Sequence, residues 1–335
     1  MFKSAVIGLG NIGMMYDLEP QRPHPSSHVY AFEYSSEYQL ICGIDGDETK
    51  KDILNNIAPS ALFYSSLQDA LRAGVLEEID VISICTPPST HLDIILSLIN
   101  SNIGKVIFCE KPIVSNISEI ERLNRACKNS NTKIVPNISR RWNRELRQVK
   151  NLIGSDKFGA LEKINIRYTR GIFNTGSHLF DMLKMWTGSP IKEVIALGET
   201  RTTAEPEKSI NFYFRQIDGV TGYAEAINDE NYYLFEFDLY CTYGKIEIRN
   251  SGDDIICYTT GPHHLFSGLT ELSIDYSKGD VLNDSCMKNA VDNICDYLNG
   301  KTEINCELND AIYPLHVADA LLKSLNSCQF EEVKE

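Results

Sequence analysis

The constraint that weighs most on this chain is an alternation. Through residues 1–136, short β-branched apolar runs take turns with stretches of helical periodicity. The runs are Ala5–Leu9, Leu40–Ile44, Val81–Cys85, Val106–Cys109 and Lys133–Pro136. They are apolar nearly throughout, as strands covered on both faces must be. Between them, Ser89–Asn102 places Leu92, Ile95, Leu96 and Ile99 on one stripe. Ser118–Asn129 opens on Ser118 with Glu121 three residues later, the spacing of a capping box. Such alternation predicts an α/β fold: a parallel sheet with helices on both faces.

The pattern changes after Arg140-Arg141. A helical stretch, Glu145–Ile153, ends at Gly154. Strand-like segments follow at Leu161–Thr169, Glu193–Leu197, Ile210–Phe214, Thr221–Ala226, Leu234–Cys241 and Lys245–Arg249. Apolar and polar residues alternate there, which predicts a largely antiparallel open sheet with one face wet or covered by a partner. A helix at Ser177–Trp186, stopped by Gly188, interrupts the series. Two helices return near the end, one carrying Met287, Val291, Ile294 and Leu298 on a face, the other over Leu308–Leu325. The expected division is residues 1–138 for the first domain and 139–335 for a second, α+β domain. The last helix is expected to be the element that packs back on the first domain.

A chain of 335 residues is long enough for two such domains. Its 32 basic and 46 acidic residues give a net charge of −14, which argues against a nucleic-acid or anionic-membrane coat. No apolar run approaches the ~18 residues of a membrane span, and the N-terminus reads as a strand rather than a secretion signal. The ten cysteines are scattered singly, with Cys42, Cys85 and Cys109 inside apolar runs. They read as buried thiols of a reducing, cytoplasmic compartment. The pair His263-His264 reads as part of a loop without a carboxylate at ligand spacing, so no metal is expected.

Directly after the first strand stands Gly8-Leu9-Gly10-Asn11-Ile12-Gly13, a G-x-G-x-x-G turn. In a strand–turn–helix setting this is the Rossmann dinucleotide fingerprint: a tight turn, a close approach to pyrophosphate and close helix packing. The second strand ends at Asp45, whose carboxylate can accept from both hydroxyls of an adenosine ribose and repels a 2′-phosphate. Gly46-Asp47-Glu48 adds negative charge, so NAD is expected over NADP. The distance from Gly13 to Asp45 is 32 residues against a usual ~20. The polar, Pro-rich segment Asp17–Ser27 accounts for the excess as an insertion near the nucleotide site.

Three more motifs follow in order: Cys85-Thr86-Pro87-Pro88-Ser89-Thr90-His91, Glu110-Lys111-Pro112, and Gly171-Ile172-Phe173-Asn174-Thr175-Gly176-Ser177-His178-Leu179-Phe180-Asp181. Together with the glycine turn they resemble the glucose–fructose oxidoreductase, inositol dehydrogenase and rhizopine-catabolism family (Gfo/Idh/MocA). The resemblance spans nearly the whole chain. It implies a nicotinamide-dependent dehydrogenase or reductase of sugars, sugar nucleotides or cyclitols. Thr86, Pro87 and His91 match the family's nucleotide-contacting turn, with Glu110 and Lys111 beside the cofactor. Lys111 is then expected to polarise the substrate oxygen and His178 to move the proton. The position four residues before His178, often Asp in the family, is Asn174 here; Asn can orient a ring nitrogen but cannot stabilise imidazolium by charge. Arg141, Trp142, Tyr168, Arg170 and Asp181 are candidate substrate contacts.

Two other readings stay open at this point. One is a catalytically weak nucleotide-binding regulatory or scaffold protein of the same fold. The other is an enzyme that keeps and recycles its nucleotide, acting as an isomerase, epimerase or glycosidase-like lyase by transient oxidation. The resemblance also implies a homodimer or homotetramer assembled through the C-terminal sheet.

Overall fold

Aliphatic runs make the first sheet: β1 (Phe2–Ile7), β2 (Tyr38–Ile44), β3 (Leu62–Tyr64), β4 (Val81–Ile84), β5 (Val106–Glu110) and β6 (Lys133–Asn137). The computed structural model describes residues 1–203 and 207–334. All neighbouring pairs in this sheet are parallel, in the order β3-β2-β1-β4-β5-β6, the doubly wound arrangement of dinucleotide-binding folds. β3 has no counterpart among the expected strands; at three residues on the sheet edge it is too short to show periodicity. The helices are α1 (His28–Glu33), α2 (Lys50–Ile57), α3 (Leu67–Arg72), α4 (Pro88–Asn100) and α5 (Ile120–Lys128). The expected capping box at Ser118 does not form. A 3-10 turn, Ile117–Glu119, precedes α5, Glu119 accepts from the Ser115 N–H at 2.9 Å, and Glu121 pairs with Arg125 instead.

The glycine turn runs into a helix that is interrupted and then resumed. Gly10 O accepts from the Met14 N–H at 2.9 Å, as in a helix. Ile12 O and Gly13 O then accept from the N–H groups of His28 and Val29, at 3.1 and 2.9 Å. In an unbroken α-helix those carbonyls would serve residues 16 and 17. Numbering has therefore advanced by 28 − 16 = 12 residues, all looped out. Subtracting them from the 32 residues between Gly13 and Asp45 leaves 20, the ordinary spacing. The side chain of Asp17 anchors the loop from inside. It accepts from the Ser26 N–H at 2.9 Å, from Ser27 Oγ at 2.5 Å and faces His24 Nδ1 at 2.7 Å.

Contacts divide the chain into two units, Met1–Trp142 with Ser285–Ile312, and Asn143–Asp284 with Tyr313–Glu335. This differs from a single division at 138/139. The segment that returns to the first unit is Ser285–Ile312, with the helix Cys286–Leu298, whereas the last helix, Leu308–Ser327, belongs to the second unit from Tyr313 onward. The reason is specific pairing: Tyr38 donates to Val291 O at 2.8 Å, Ser285 Oγ to Pro25 O at 2.6 Å and Asn289 Nδ2 to Trp142 O at 3.1 Å.

The second unit is a nine-stranded sheet: β7 (Leu161–Tyr168), β8 (Ile191–Thr200), β9 (Ser209–Gln216), β10 (Thr221–Ala226), β11 (Phe235–Cys241), β12 (Gly244–Arg249), β13 (Asp254–Pro262), β14 (Thr270–Lys278) and β15 (Glu331–Glu332). It is antiparallel except where β10 lies parallel to β7. Its helices are α6 (Arg144–Leu152), capped by Asn143 accepting from the Leu146 N–H, and α7 (Gly176–Thr187), ended by Gly188 in the left-handed region. The core joins Phe212, Phe214, Phe235 and Phe237 to Trp186 and to Val317 and Leu321 of the last helix. On the polar side, Asp238 is 4% exposed and takes Lys245 Nζ and Arg249 at 2.6 Å each. Burial alone would raise its carboxyl pKa; the bonds and charges of Lys245 and Arg249 outweigh it and hold the group below its ordinary value.

Two stability outcomes follow. Asp17→Ala should lower the unfolding free energy by about 2–3 kcal/mol in a denaturant titration, since buried N–H and hydroxyl donors lose an ionised acceptor. Asp238→Asn should destabilise by on the order of 2 kcal/mol at neutral pH. Because the native pKa is depressed, that contribution is complete above about pH 4 and disappears as pH falls through the lowered native value. Melting curves of wild type and Asp238→Asn should therefore converge in acid.

Candidate active site

At the end of β1 the chain turns sharply at Gly8, whose φ is +91°; a Cβ there would lie 2.7 Å from the Cys85 carbonyl carbon. Gly13 sits so close beneath the turn that a Cβ would meet Gly8 O at 2.0 Å. Gly10 is different, with nothing within 4 Å of a Cβ position. The turn is thus closed on its inner side and open where a pyrophosphate would approach. Asn11 is exposed and Ile12 half-buried beside it.

Asp45 ties this turn to the second strand. Its Oδ2 accepts from the Leu9 N–H at 2.6 Å and its Oδ1 from the Asp47 N–H at 2.8 Å. Each oxygen retains a second lone pair for a ribose hydroxyl. Asp47 and Glu48 stand exposed beside it, and Lys50 lies 3.9 Å from Asp47. This anionic rim fits an adenosine ribose with free hydroxyls and disfavours a 2′-phosphate. The residues present therefore fit a dinucleotide of the NAD type.

The turns after β4 and β5 complete this side. Thr86 is half-buried and Pro87 exposed; Thr90 Oγ1 donates to Thr86 Oγ1 at 2.7 Å. His91 was expected against the nucleotide, but its ring is fully enclosed. Its Nε2 is 2.8 Å from Thr86 O and its Nδ1 2.9 Å from Pro112 O. It braces the Thr86 turn and the Glu110-Lys111-Pro112 turn from behind. Lys111 and Pro112 are half-buried and joined by a cis peptide bond. The Glu110 carboxylate takes His28 Nε2 at 2.9 Å and Asn137 Nδ2 at 2.6 Å, both at Oε1.

In the second unit, Arg170 takes a left-handed conformation (φ 65°) and a π-turn, Gly171–Thr175, leads into α7. The start of β9 and the residues before it hold that turn. Gly171 N–H donates to Ser209 Oγ at 3.0 Å, Ile172 N–H to Lys208 O at 2.9 Å and Phe173 N–H to Glu207 Oε2 at 3.1 Å. Asn174 is half-buried in the turn, and its carbonyl accepts from Ser177 Oγ at 2.7 Å. His178 and Asp181, 9% and 1% exposed, share the first turns of α7.

Several candidate substrate contacts are structural. Trp142 is 1% exposed and its Nε1 donates to Asn137 Oδ1 at 3.0 Å. Tyr168 is fully enclosed, its hydroxyl donating to Ile210 O at 2.6 Å and accepting from the Ile210 N–H at 2.9 Å. Neither ring keeps a polar atom for a ligand. Arg141 is 7% exposed and pairs with Asp310 at 2.6 Å, whereas Arg170 is exposed. Glu207, Asp17 and His28 were not singled out in the sequence; their partners lie at separations no local motif reveals.

The cysteine and histidine readings also meet the structure. Cys42, Cys85 and Cys109 are unbridged, and burial pushes their thiols up, to about 12 for Cys42. His263 and His264 do have a carboxylate nearby, contrary to expectation: Glu271 on β14, 2.7 Å from His264 Nδ1. Strand pairing brings it across the hairpin. His263 Nδ1 accepts the N–H groups of Leu265 and Phe266 at 3.1 and 3.2 Å, and its Nε2 lies 3.8 Å from Glu271 Oε2. Among the described residues, no helix is long and apolar enough to cross a membrane.

Known proteins share this layout. Residues 2–137 match the oxidoreductase family with an NAD-binding Rossmann fold, GFO_IDH_MocA. The chain is 23% identical over 218 residues to the myo-inositol 2-dehydrogenase of Thermotoga maritima, a match spanning 61% of this chain and 60% of that one. The chain thus spans less than two thirds of that relative's length in sequence. In structure it is similar over 99% of its length to a putative NADPH-dependent oxidoreductase from Desulfitobacterium hafniense, covering 97% of that chain (TM-score 0.78, 18% identity). It is similar over its full length to the WlbA dehydrogenase from Bordetella pertussis in complex with NADH and UDP-GlcNAcA, covering 98% of that chain (TM-score 0.77, 16% identity). Residues 2–137 thus carry the NAD-binding Rossmann fold of that oxidoreductase family, and the whole chain shares its fold with these two solved structures.

Proposed function

We propose that this chain is an NAD-dependent oxidoreductase of a secondary alcohol or ketone on a sugar, sugar nucleotide or cyclitol. The observation that carries the proposal is the Asp45 carboxylate at the end of β2, bonded to the Leu9 N–H inside the glycine turn. That arrangement holds a dinucleotide by backbone donors and reads its ribose by a carboxylate. A bound nicotinamide supplies the hydride donor or acceptor. The backbone from Gly8 to Gly13 and Asp45 hold the pyrophosphate and ribose, and Thr86, Pro87 and Glu110 complete the cofactor seat. Lys111 polarises the substrate oxygen with its ammonium, and His178 carries the hydroxyl proton. Asn174 stands in the turn before α7, and His178 and Asp181 in the first turns of that helix. The substrate class is supported by the inositol-acting relative and by the sugar nucleotide in the Bordetella structure.

The cofactor preference is tested by comparing kcat/KM for NAD and NADP over a panel that includes myo-inositol and UDP-sugars. NAD should be favoured by at least about tenfold, and Asp45→Ser should narrow the gap. Better use of NADP by wild type would overturn the assignment. Lys111→Ala should lower kcat by on the order of 10²–10³ while NADH still binds, because one preorganised donor to the reacting oxygen is lost. Turnover unchanged in that variant would remove Lys111 from the mechanism.

We infer further that self-association uses the sheet of the second unit. The support is on β14, where Leu272, Ile274 and Tyr276 are 45%, 65% and 48% exposed, with Leu265, Phe266 and Leu269 exposed in the preceding turn. Contiguous exposed apolar surface of this kind marks a contact region. Light scattering should show a dimer or tetramer at micromolar concentration, and Ile274→Glu should shift it toward monomer. A monomeric wild type would exclude the inference.

A further inference from the structure

His28, the first residue of α1, has no part in the roles proposed above, yet it is fully enclosed. Its ring is tilted against that of Phe108, 4.7 Å between centroids. Its Nδ1 lies 2.8 Å from Ser83 Oγ in the middle of β4, and its Nε2 lies 2.9 Å from Glu110 Oε1 at the end of β5. Asn137 Nδ2 donates to the same oxygen at 2.6 Å, and Asn137 is itself oriented by Trp142 Nε1. The Glu110 side chain keeps 13% of its surface exposed. Among the described residues, no hydrogen bond goes to its Oε2.

An ionised carboxylate only accepts, so His28 presents a proton at Nε2 to Glu110 and leaves Nδ1 to the Ser83 hydroxyl, which gives or takes. Two donors on one oxygen fix the rotation of this mostly buried carboxylate. They leave Oε2 as the atom available to a ligand. His28 itself is held by its N–H on Ile12 O, where the helix resumes after the loop, and by Ser27, which the Asp17 carboxylate grips.

We propose that His28 is a positioning residue: through Nε2 it fixes the orientation of Glu110, and so sets the seat that the Glu-Lys-Pro turn offers the cofactor. The proposal rests on the reading that Glu110 contacts the bound dinucleotide. Neither the nucleotide motif nor the lysine and histidine chemistry requires this residue. It is placed by a contact spanning 82 positions of sequence.

The test uses the full chain and NADH, with affinity read by quenching of tryptophan fluorescence. His28→Leu should weaken NADH binding by on the order of tenfold, the effect of one charge-assisted hydrogen bond. His28→Gln, whose amide reaches the Nε2 position, should stay within about threefold of wild type, while His28→Asn, reaching only the Nδ1 position, should behave like Leu. In a Glu110→Gln background the His28→Leu loss should vanish, because the two act through one carboxylate. Equal losses for Gln and Asn, or losses that multiply in the double variant, would overturn the proposal. If His28→Leu does not fold, the Gln–Asn comparison decides alone. If wild type binds no NADH, the functional reading fails by itself. The pairing is then judged by 15N NMR of the His28 ring: a proton on Nε2 that shifts in Glu110→Gln supports it, and a proton on Nδ1 alone overturns it.

Discussion

A single charge-assisted hydrogen bond, from the Leu9 N–H to the Asp45 carboxylate, organises the nucleotide side of this protein. The glycine turn has little side-chain substance of its own, and its conformation must be imposed from outside. Asp45 does so from the neighbouring strand, while Gly8 N–H is taken by Ile44 O at 2.8 Å. In the proposed function the group that reads the ribose and the structural tie are one carboxylate, so exchanging its chemistry also disturbs the turn.

Two interior histidines extend this logic to the loops at the other strand ends. A buried ring nitrogen needs a partner, and here each ring finds partners on two different strands or turns. His91 joins the carbonyls of Thr86 and Pro112; His28 joins Ser83 to Glu110. The exposed or half-exposed groups that would touch a ligand are therefore backed by enclosed polar ones. The second unit follows the same plan with different residues, since the turn before α7 hangs on Glu207, Lys208 and Ser209.

What was readable in advance follows from physics that is local in sequence. Buried parallel strands announce themselves as apolar runs, and five of six did; β3, three residues at an edge, could not. The glycine turn was legible from its strand–turn–helix setting, Asp45 from its place at the end of the second strand, and the Glu-Lys-Pro turn from the family resemblance. Ser118 looked like a cap because spacing alone cannot say whether the turn is α or 3-10. Trp142 and Tyr168 looked like ligand contacts because an aromatic with a polar tip suits a core and a binding face equally; only their partners, Asn137 and Ile210, tell which. β14 was missed because it is exposed along nearly its whole length and carries no burial pattern; β13 buries only Ile255 and Cys257, too short an alternation to stand out. The return of Ser285–Ile312 to the first unit rests on contacts such as Tyr38 to Val291, across more than two hundred residues.

The excursion between Met14 and His28 has a consequence for how such chains diversify. Because the main-chain ladder rejoins itself on the far side, the excursion adds length without changing the phase of the helix or the register of the strand that follows. Its composition is answerable to the Asp17 anchor and little else. Its side chains, such as the Tyr16 and Arg22 pair stacked at 3.6 Å, can therefore change while the helix and strand beneath keep their places.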